Sequence, residues 1–328
     1  MFVVGVGTAF PESSISDGEL AEIGVTLGAG DREFLARVGV ASRAVSVPVD
    51  HIKQTGNGDI FAAWNVAQAT PTSLGVAAVK ASLAQVGIGI ESIGLVLADT
   101  ATPYQTCPSE AQRIAGEFGL KVPAYDIVGG VGAIASFLST LSAWKPERLP
   151  DYILCVSTNT PSQQVRYRED GVCGALLGDA AVALVLSPRD ARGGRVASTS
   201  LLSERGYRTP VVIAEKACFH LDRVLSTDAV KRYLESEIRS LLEVTPGLLR
   251  DGVFVPPQLY ATEAAKVLGQ HGIEPHRVVT TVRERGFSLG SSSGVALASV
   301  WPALSTGSPI VVLHCGDGLC GSVVVERA

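Results

Sequence analysis

The sequence is poor in the features that announce a specialised class. There is no basic surplus: 27 Lys and Arg stand against 32 Asp and Glu, a formal net charge of −5. No run of one sign forms a tail, so nucleic acid is not an expected partner. The six cysteines, at 107, 155, 173, 218, 315 and 320, make no Cys-x-x-Cys pair. That spacing argues against a zinc site, and no metal or cofactor is expected. Cys155 and Cys173 lie in apolar, strand-like runs and read as buried, inert thiols. No apolar stretch is long enough to span a bilayer. The opening Met1 to Gly7 lacks the basic segment and cleavage-like site of a signal peptide. These absences lead to the expectation of a soluble, cytoplasmic protein with no membrane partner.

What is present is apolar material. Of 328 residues, 46% are hydrophobic and only 18% charged, enough for a substantial core in one large or two small domains. Apolar strands are expected at 2–7, 93–98, 124–128, 152–157 and 180–186. Helices are expected at 19–38, 73–86 with Ser73 as cap, 108–118 and 129–143. Residues 51–72 read as a loop with one helical turn. The helix at 129–143 is almost wholly small and apolar, so it must be buried on all sides.

After the polar crossing Arg189 to Gly194 the plan repeats. Helices are expected at 227–242, 260–270 and 290–301, and strands at 252–255, 277–282, 310–313 and 322–326. Alternating strands and helices mean α/β architecture. The repeat suggests a duplicated fold, divided into halves at 1–188 and 189–328.

Five segments, in order, resemble the β-ketoacyl-ACP synthase III family. They are Val4-Gly5-Val6-Gly7 through Pro11-Glu12; Arg37-Val38-Gly39-Val40 with Arg43; Leu177-Gly178-Asp179-Ala180-Ala181; Phe254-Val255-Pro256-Pro257-Gln258; and Gly316-Asp317-Gly318-Leu319 before Gly321-Ser322. The resemblance covers essentially the whole chain. It implies the thiolase fold, five layers in αβαβα order from two similar halves, and a homodimer. The strand at 152–157 is the one expected to pair with its copy.

Members of that family use a Cys nucleophile at the N-terminus of the buried helix, with a His and an Asn that stabilise an enolate. Here the D-x-x-x-x-C run matches Asp126 to Val131, so Val131 takes the nucleophile position. The V-P-H-Q run puts Pro257 at the histidine. The ungapped continuation to Gly286 puts Phe287 at the asparagine. None of these side chains attacks a thioester or hydrogen-bonds an enolate oxygen. Backbone donors survive substitution, so the resemblance still implies an oxyanion hole from the amides of Val131 and Gly318.

Substitute groups are weighed on the same footing. Cys107, Cys315 and Cys320 are candidate nucleophiles, with Cys320 foremost and a structural thiol the default. His220 falls in a segment that, by resemblance, lines an acyl tunnel, and is a candidate for catalysis or substrate binding. His314 reads as a satisfied buried histidine beside the Gly-rich turn. His51, His271 and His276 are expected in loops or at helix ends. Ser288 is a candidate substrate contact or helix cap, and Ser291, Ser292 and Ser293 read as helix packing. Arg37 remains at the carrier side. Glu33 replaces the aromatic residue that meets the coenzyme A base, and Thr262 replaces a family arginine.

Two functions follow. One is an acyl-thioester enzyme of lipid or polyketide-type metabolism, performing acyl transfer, condensation or cyclisation without a Cys nucleophile on acyl-CoA or an acyl carrier protein. The other is an inactive partner or scaffold of an active synthase or carrier protein. An open tunnel with polar groups at its blind end favours the first, and a tunnel plugged by Phe287 favours the second.

Overall fold

The computed structural model describes residues 1–203, 211–214, 218–221, 227–245, 247–304, 306–316 and 318–327, with backbone alone for 211–214, 218–221 and 227. The strands are β1 Phe2–Ala9, β2 Ser14–Ser16, β3 Ser42–Ala44, β4 Ile93–Asp99, β5 Ala124–Asp126, β6 Tyr152–Asn159, β7 Ala180–Ser187, β8 Gly194–Ser203, β9 Val211–Ala214, β10 Cys218–Leu221, β11 Val253–Val255, β12 Pro309–Gly316 and β13 Leu319–Arg327. The helices are α1 Asp17–Ile23, α2 Ala29–Val38, α3 Val49–Thr55, α4 Ile60–Val66, α5 Pro71–Val86, α6 Glu110–Glu117, α7 Ala133–Ser142, α8 Gly171–Leu176, α9 Thr227–Val244, α10 Gly247–Asp251, α11 Ala261–Gln270, α12 Val282–Arg285 and α13 Ser291–Val300.

Nine strands hydrogen-bond in the order β11-β12-β13-β8-β1-β7-β6-β4-β5. The seam is the short β1–β8 contact, Phe2 with Arg195 and Val3 with Gly194. On one side β4 is parallel to β5 and β6, β7 is antiparallel to β6, and β1 is antiparallel to β7. On the other side β11 is parallel to β12, β13 is antiparallel to β12, and β8 is antiparallel to β13. A single parallel bridge from Phe254 to Val278 stands where β5 would be. The second pairing scheme repeats the first.

Strand alternation separates the core into layers. Leu95, Leu97, Ile153, Cys155, Val182 and Leu184 pack on α7 and α13, together with Ile310, Val312 and Val323 from the other side of the seam. Their neighbours Val96, Ala98, Leu154 and Val156 face α5 and α6. Val311, Leu313 and Val324 face α9 and α11. This is the five-layered thiolase arrangement, with α7 and α13 in the middle. Ile134, Phe137, Leu138 and Leu141 of α7 are all buried, each contributing about 1.5–3 kcal/mol.

Several local expectations change. The helix expected at 19–38 is two helices, because Gly24 takes a left-handed conformation (φ +86°) that ends α1. The loop expected at 51–72 holds α3, α4 and the start of α5. Thr70, not Ser73, caps α5: the Ser73 N–H donates to Thr70 Oγ1 at 3.0 Å, while the Thr70 N–H donates to Ser73 Oγ at 2.8 Å. The strand expected at 277–282 shrinks to the Val278 bridge and passes into α12. The helix expected from Gly129 begins as a tight 3-10 turn, Gly130–Gly132, before α7. Strand β8 was not anticipated.

The pairing expected of 152–157 is also corrected. Strand β6 lies between β4 and β7, hydrogen-bonded on both sides, so it has no edge to offer a second chain. Among the described residues the outer edge of that side is β5.

Candidate active site

The three positions that the sequence places at the chemistry come together in space. Val131, Pro257 and Phe287 line one void with Leu289, Ser293 and His314. The space left for the centre of a water molecule is about 10 Å³, so the void takes one water at most.

Each residue is delivered by a different element. Val131 sits in the 3-10 turn that leads into α7. Below that turn lies Asp99, which accepts from the Gly129 N–H at 2.9 Å and from the Ser157 hydroxyl at 2.9 Å. Ser291 ties this pair to Asn159 and to the start of α13. Burial pushes the Asp99 carboxyl up to about 6. A side chain at Gly290 would lie 2.4 Å from Asp99 Oδ2, so the absence of a Cβ there lets α13 approach. The Asp99 network, which sequence reading missed, joins the N-termini of the two central helices.

Pro257 follows β11. Its neighbour Gln258 donates to the carbonyls of Pro256 and Val279, and accepts from Thr280 and from the Thr281 N–H. With four bonds made, Gln258 pins 279–281 against the end of β11. Phe287 is fixed by its backbone, with its N–H donating to Leu176 O at 2.9 Å and its carbonyl accepting from Gly178 at 3.1 Å. The ring is 3% exposed. Leu289 beside it holds φ +54°, a left-handed conformation that costs a branched side chain on the order of 1–3 kcal/mol.

His314 was read as a satisfied buried histidine, and only half of its ring is satisfied. It shares the β12 face of Ile310 and Val312, and Nδ1 lies 3.1 Å from the carbonyl oxygen of Val131. Nε2 is buried and has no partner among the described residues. Burial lowers the imidazole to about 4, so the ring is neutral at ordinary pH. The sequence signal was available: His314 is two residues from Val312 on an alternating strand, which fixes its face.

Of the other candidates, Cys315 is among the residues that line the void. Cys320 faces Cys315 across β12–β13 with the sulfurs 3.5 Å apart, and both are buried. The Cys320 hydrogen bond and burial push the Cys315 thiol up, away from thiolate. Cys320 does not line the void, and Cys107 is exposed. Burial raises the Cys155 thiol, as expected for an inert one. Gly318 stands in the β12–β13 turn at φ +76°. His220 lies in β10, with its side chain outside the described residues, as is all of Asp317.

Ser288 neither caps α13, whose N-cap is Gly290, nor lines the void. Its N–H donates to Ser292 Oγ at 2.7 Å. Arg37 is at the surface, 3.3 Å from Glu263, in a basin of about 600 Å³ with Lys231 and Lys266. The Thr262 hydroxyl donates to the Arg37 carbonyl at 2.9 Å. Glu33 is exposed. Among the described residues no metal-binding cluster of His, Cys, Asp or Glu occurs, and no helix is long and apolar enough to cross a membrane.

No family model matches the chain. It is similar to the beta-ketoacyl-[acyl-carrier-protein] synthase III of Bartonella tribocorum, 26% identical over 342 residues and 98% of each chain. The solved 3-oxoacyl-(acyl carrier protein) synthase III of Pseudomonas aeruginosa superposes with a TM-score of 0.79 at 26% identity, covering 99% of this chain and 97% of that one. The corresponding Aquifex aeolicus structure reaches 0.81 at 19% identity over 99% of both, a likeness of fold.

Proposed function

Taking this chain as a relative of the β-ketoacyl-ACP synthase III proteins built on their thiolase fold, we propose that it binds an acyl thioester and moves the acyl group without a covalent cysteine intermediate. The observation that carries this reading is the content of the void. Val131, Pro257 and Phe287 supply no nucleophile and no polar donor, Cys315 in the same lining is kept from thiolate by its Cys320 contact and burial, and the unpaired Nε2 of His314 supplies an acceptor. The amides of Val131 and Gly318 are the proposed oxyanion donors. The acyl carrier is acyl-CoA or an acyl carrier protein, approaching the basin of Arg37, Lys231 and Lys266. Ser288 and His220 stay in the proposal as substrate contacts. The setting proposed is lipid or polyketide-type metabolism in the cytoplasm, and the two halves are proposed to divide at 188/189.

A second reading has its own observation. The void takes one water at most, with Phe287 against it, and this favours an inactive partner of an active synthase or carrier protein. Incubation with acyl-CoA and acyl-carrier substrates, followed by intact-mass and thiol-release measurements, separates the two. Thiol release without an adduct supports acyl transfer. Binding without release, with a stable complex formed only with another synthase, supports the partner. A stable adduct on any cysteine refutes both.

We also propose a homodimer through β5. Its outer edge is unpaired among the described residues, Tyr125 within it is 37% exposed, and Val128, two residues past its end, is 69% exposed. A second copy would cover that edge.

A further inference from the structure

We infer that His314 is the proton acceptor of this site, and that its second substrate is an acceptor carrying an O–H or N–H group to which the acyl group passes directly. The inference rests on the acyl-transfer reading above.

A carbonyl oxygen only accepts, so the contact from His314 Nδ1 to Val131 O requires the proton on Nδ1. The neutral ring then carries its lone pair on Nε2. That atom is buried, is unpartnered among the described residues, and belongs to a side chain lining the void where the family positions meet. Buried acceptors are normally satisfied, and an orphaned one in a native pocket points to a donor that is bound there in use. The ring is oriented by the Val131 carbonyl in the way that a third group orients a catalytic base. Ser293, Gln258 and Cys315 share a lining that holds no Asp, Glu, Lys or Arg; the Gln258 amide is already bonded through both its nitrogen and its oxygen, and the Cys320 contact and burial hold Cys315 as a thiol.

The chemistry balances without a further reagent. The acceptor oxygen or nitrogen attacks the thioester carbonyl carbon and forms the new C–O or C–N bond, while its proton moves to Nε2. The C–S bond breaks, and the leaving thiolate takes that proton from Nε2. The products are an ester or amide and a free thiol. The buried ring is a weak base, so its contribution belongs at the lower end of the 10²–10⁴ range for general base catalysis. Entry of the acyl group requires Phe287 to turn away from the void.

Hydroxylamine, a small acceptor with both bond types, is the probe, used with acetyl-CoA and octanoyl-CoA. Hydroxamate formation and thiol release are measured for the whole protein, His314→Gln and Phe287→Ala, with melting curves to establish that each is folded. Gln keeps a donor for the Val131 carbonyl but has no base. The inference expects hydroxamate from the unaltered protein, a loss of about 100-fold in His314→Gln, and a gain in Phe287→Ala, which keeps His314 and widens the void. Equal rates with and without His314 overturn it. Thioester binding without transfer, in both the unaltered protein and Phe287→Ala, overturns this inference and leaves thioester binding standing. Absence of thioester binding overturns the acyl-thioester reading as well.

Discussion

The imidazole Nδ1 of His314 lies 3.1 Å from the carbonyl oxygen of Val131. One residue belongs to β12 and the other to the turn before α7, so this contact joins a strand on one side of the β1–β8 seam to a helix start on the other. It also fixes the tautomer of a ring that is 1% exposed.

Stability should therefore carry a histidine-dependent slope with pH. Burial holds His314 at about 4 in the folded state, below the ordinary imidazole value of 6.5. Below pH 6.5 the unfolded chain binds a proton that the folded chain refuses, so stability falls as pH drops toward 4 and is held above 6.5. The loss is at most roughly 3 kcal/mol, at about 1.4 kcal/mol per unit. Asp99 and Asp179 work in the opposite sense. Both are raised from 3.8 to about 6 by burial, so their contribution is present below 3.8 and lost as pH rises through 6. Denaturant melts of His314→Gln beside the unaltered chain isolate the histidine part. An unchanged slope between pH 4 and 6.5 would show that His314 is not held neutral.

With Val131 taken as the proposed nucleophile position, a cysteine placed there should bring acylation alone. Val131→Cys places a thiol at the start of a central helix, where a thiolate is favoured. Pro257 and Phe287 still offer no donor, so malonyl decarboxylation should stay at background. Intact mass and carbon dioxide release read the two steps separately. Full decarboxylation would mean that the histidine and asparagine positions have been misplaced.

A charge at Val128, two residues past the end of β5, should break the proposed dimer. Val128→Asp puts a carboxylate on a side chain that is 69% exposed in the single chain, so folding should change little, by under about 0.5 kcal/mol. Sedimentation at micromolar concentration should show a dimer for the unaltered protein and a monomer for the variant. A dimer that survives the charge would place the interface elsewhere.

The Asp99 network should be intolerant of bulk. Gly290→Ala sets a methyl 2.4 Å from Asp99 Oδ2 and 2.6 Å from the Gly130 carbonyl. Overpacking of this kind costs about 1–3 kcal/mol. The expected result is a lower denaturant midpoint with an unchanged slope, together with weaker thioester binding as the turn at Val131 shifts. A neutral substitution would mean that α13 and the turn move freely.

The motif residues divide by what they do, and that division explains why the fold was legible. Asp126 accepts from the backbone of Glu110 and Ala111 and starts α6. Asp179 accepts from the backbone and hydroxyls of Ser46 and Ser162. Gln258 pins 279–281, and Gly286 holds φ +74° against Arg43. These are contacts of the backbone scaffold, and their residue types survive in the chain. Val131, Pro257 and Phe287, close by in the same motifs, are the members that line the void.

By itself, then, the sequence determined the α/β alternation and the buried central helices, because these follow from local pattern and residue chemistry. Tertiary structure decided the rest. It put β5 rather than β6 at the sheet edge, since strand order is set by pairing between distant segments. It closed the void around Phe287, because packing volume depends on side chains from four separate stretches of chain. It also left Nε2 of His314 without a partner, a fact that exists only once β12 is laid against the turn at Val131.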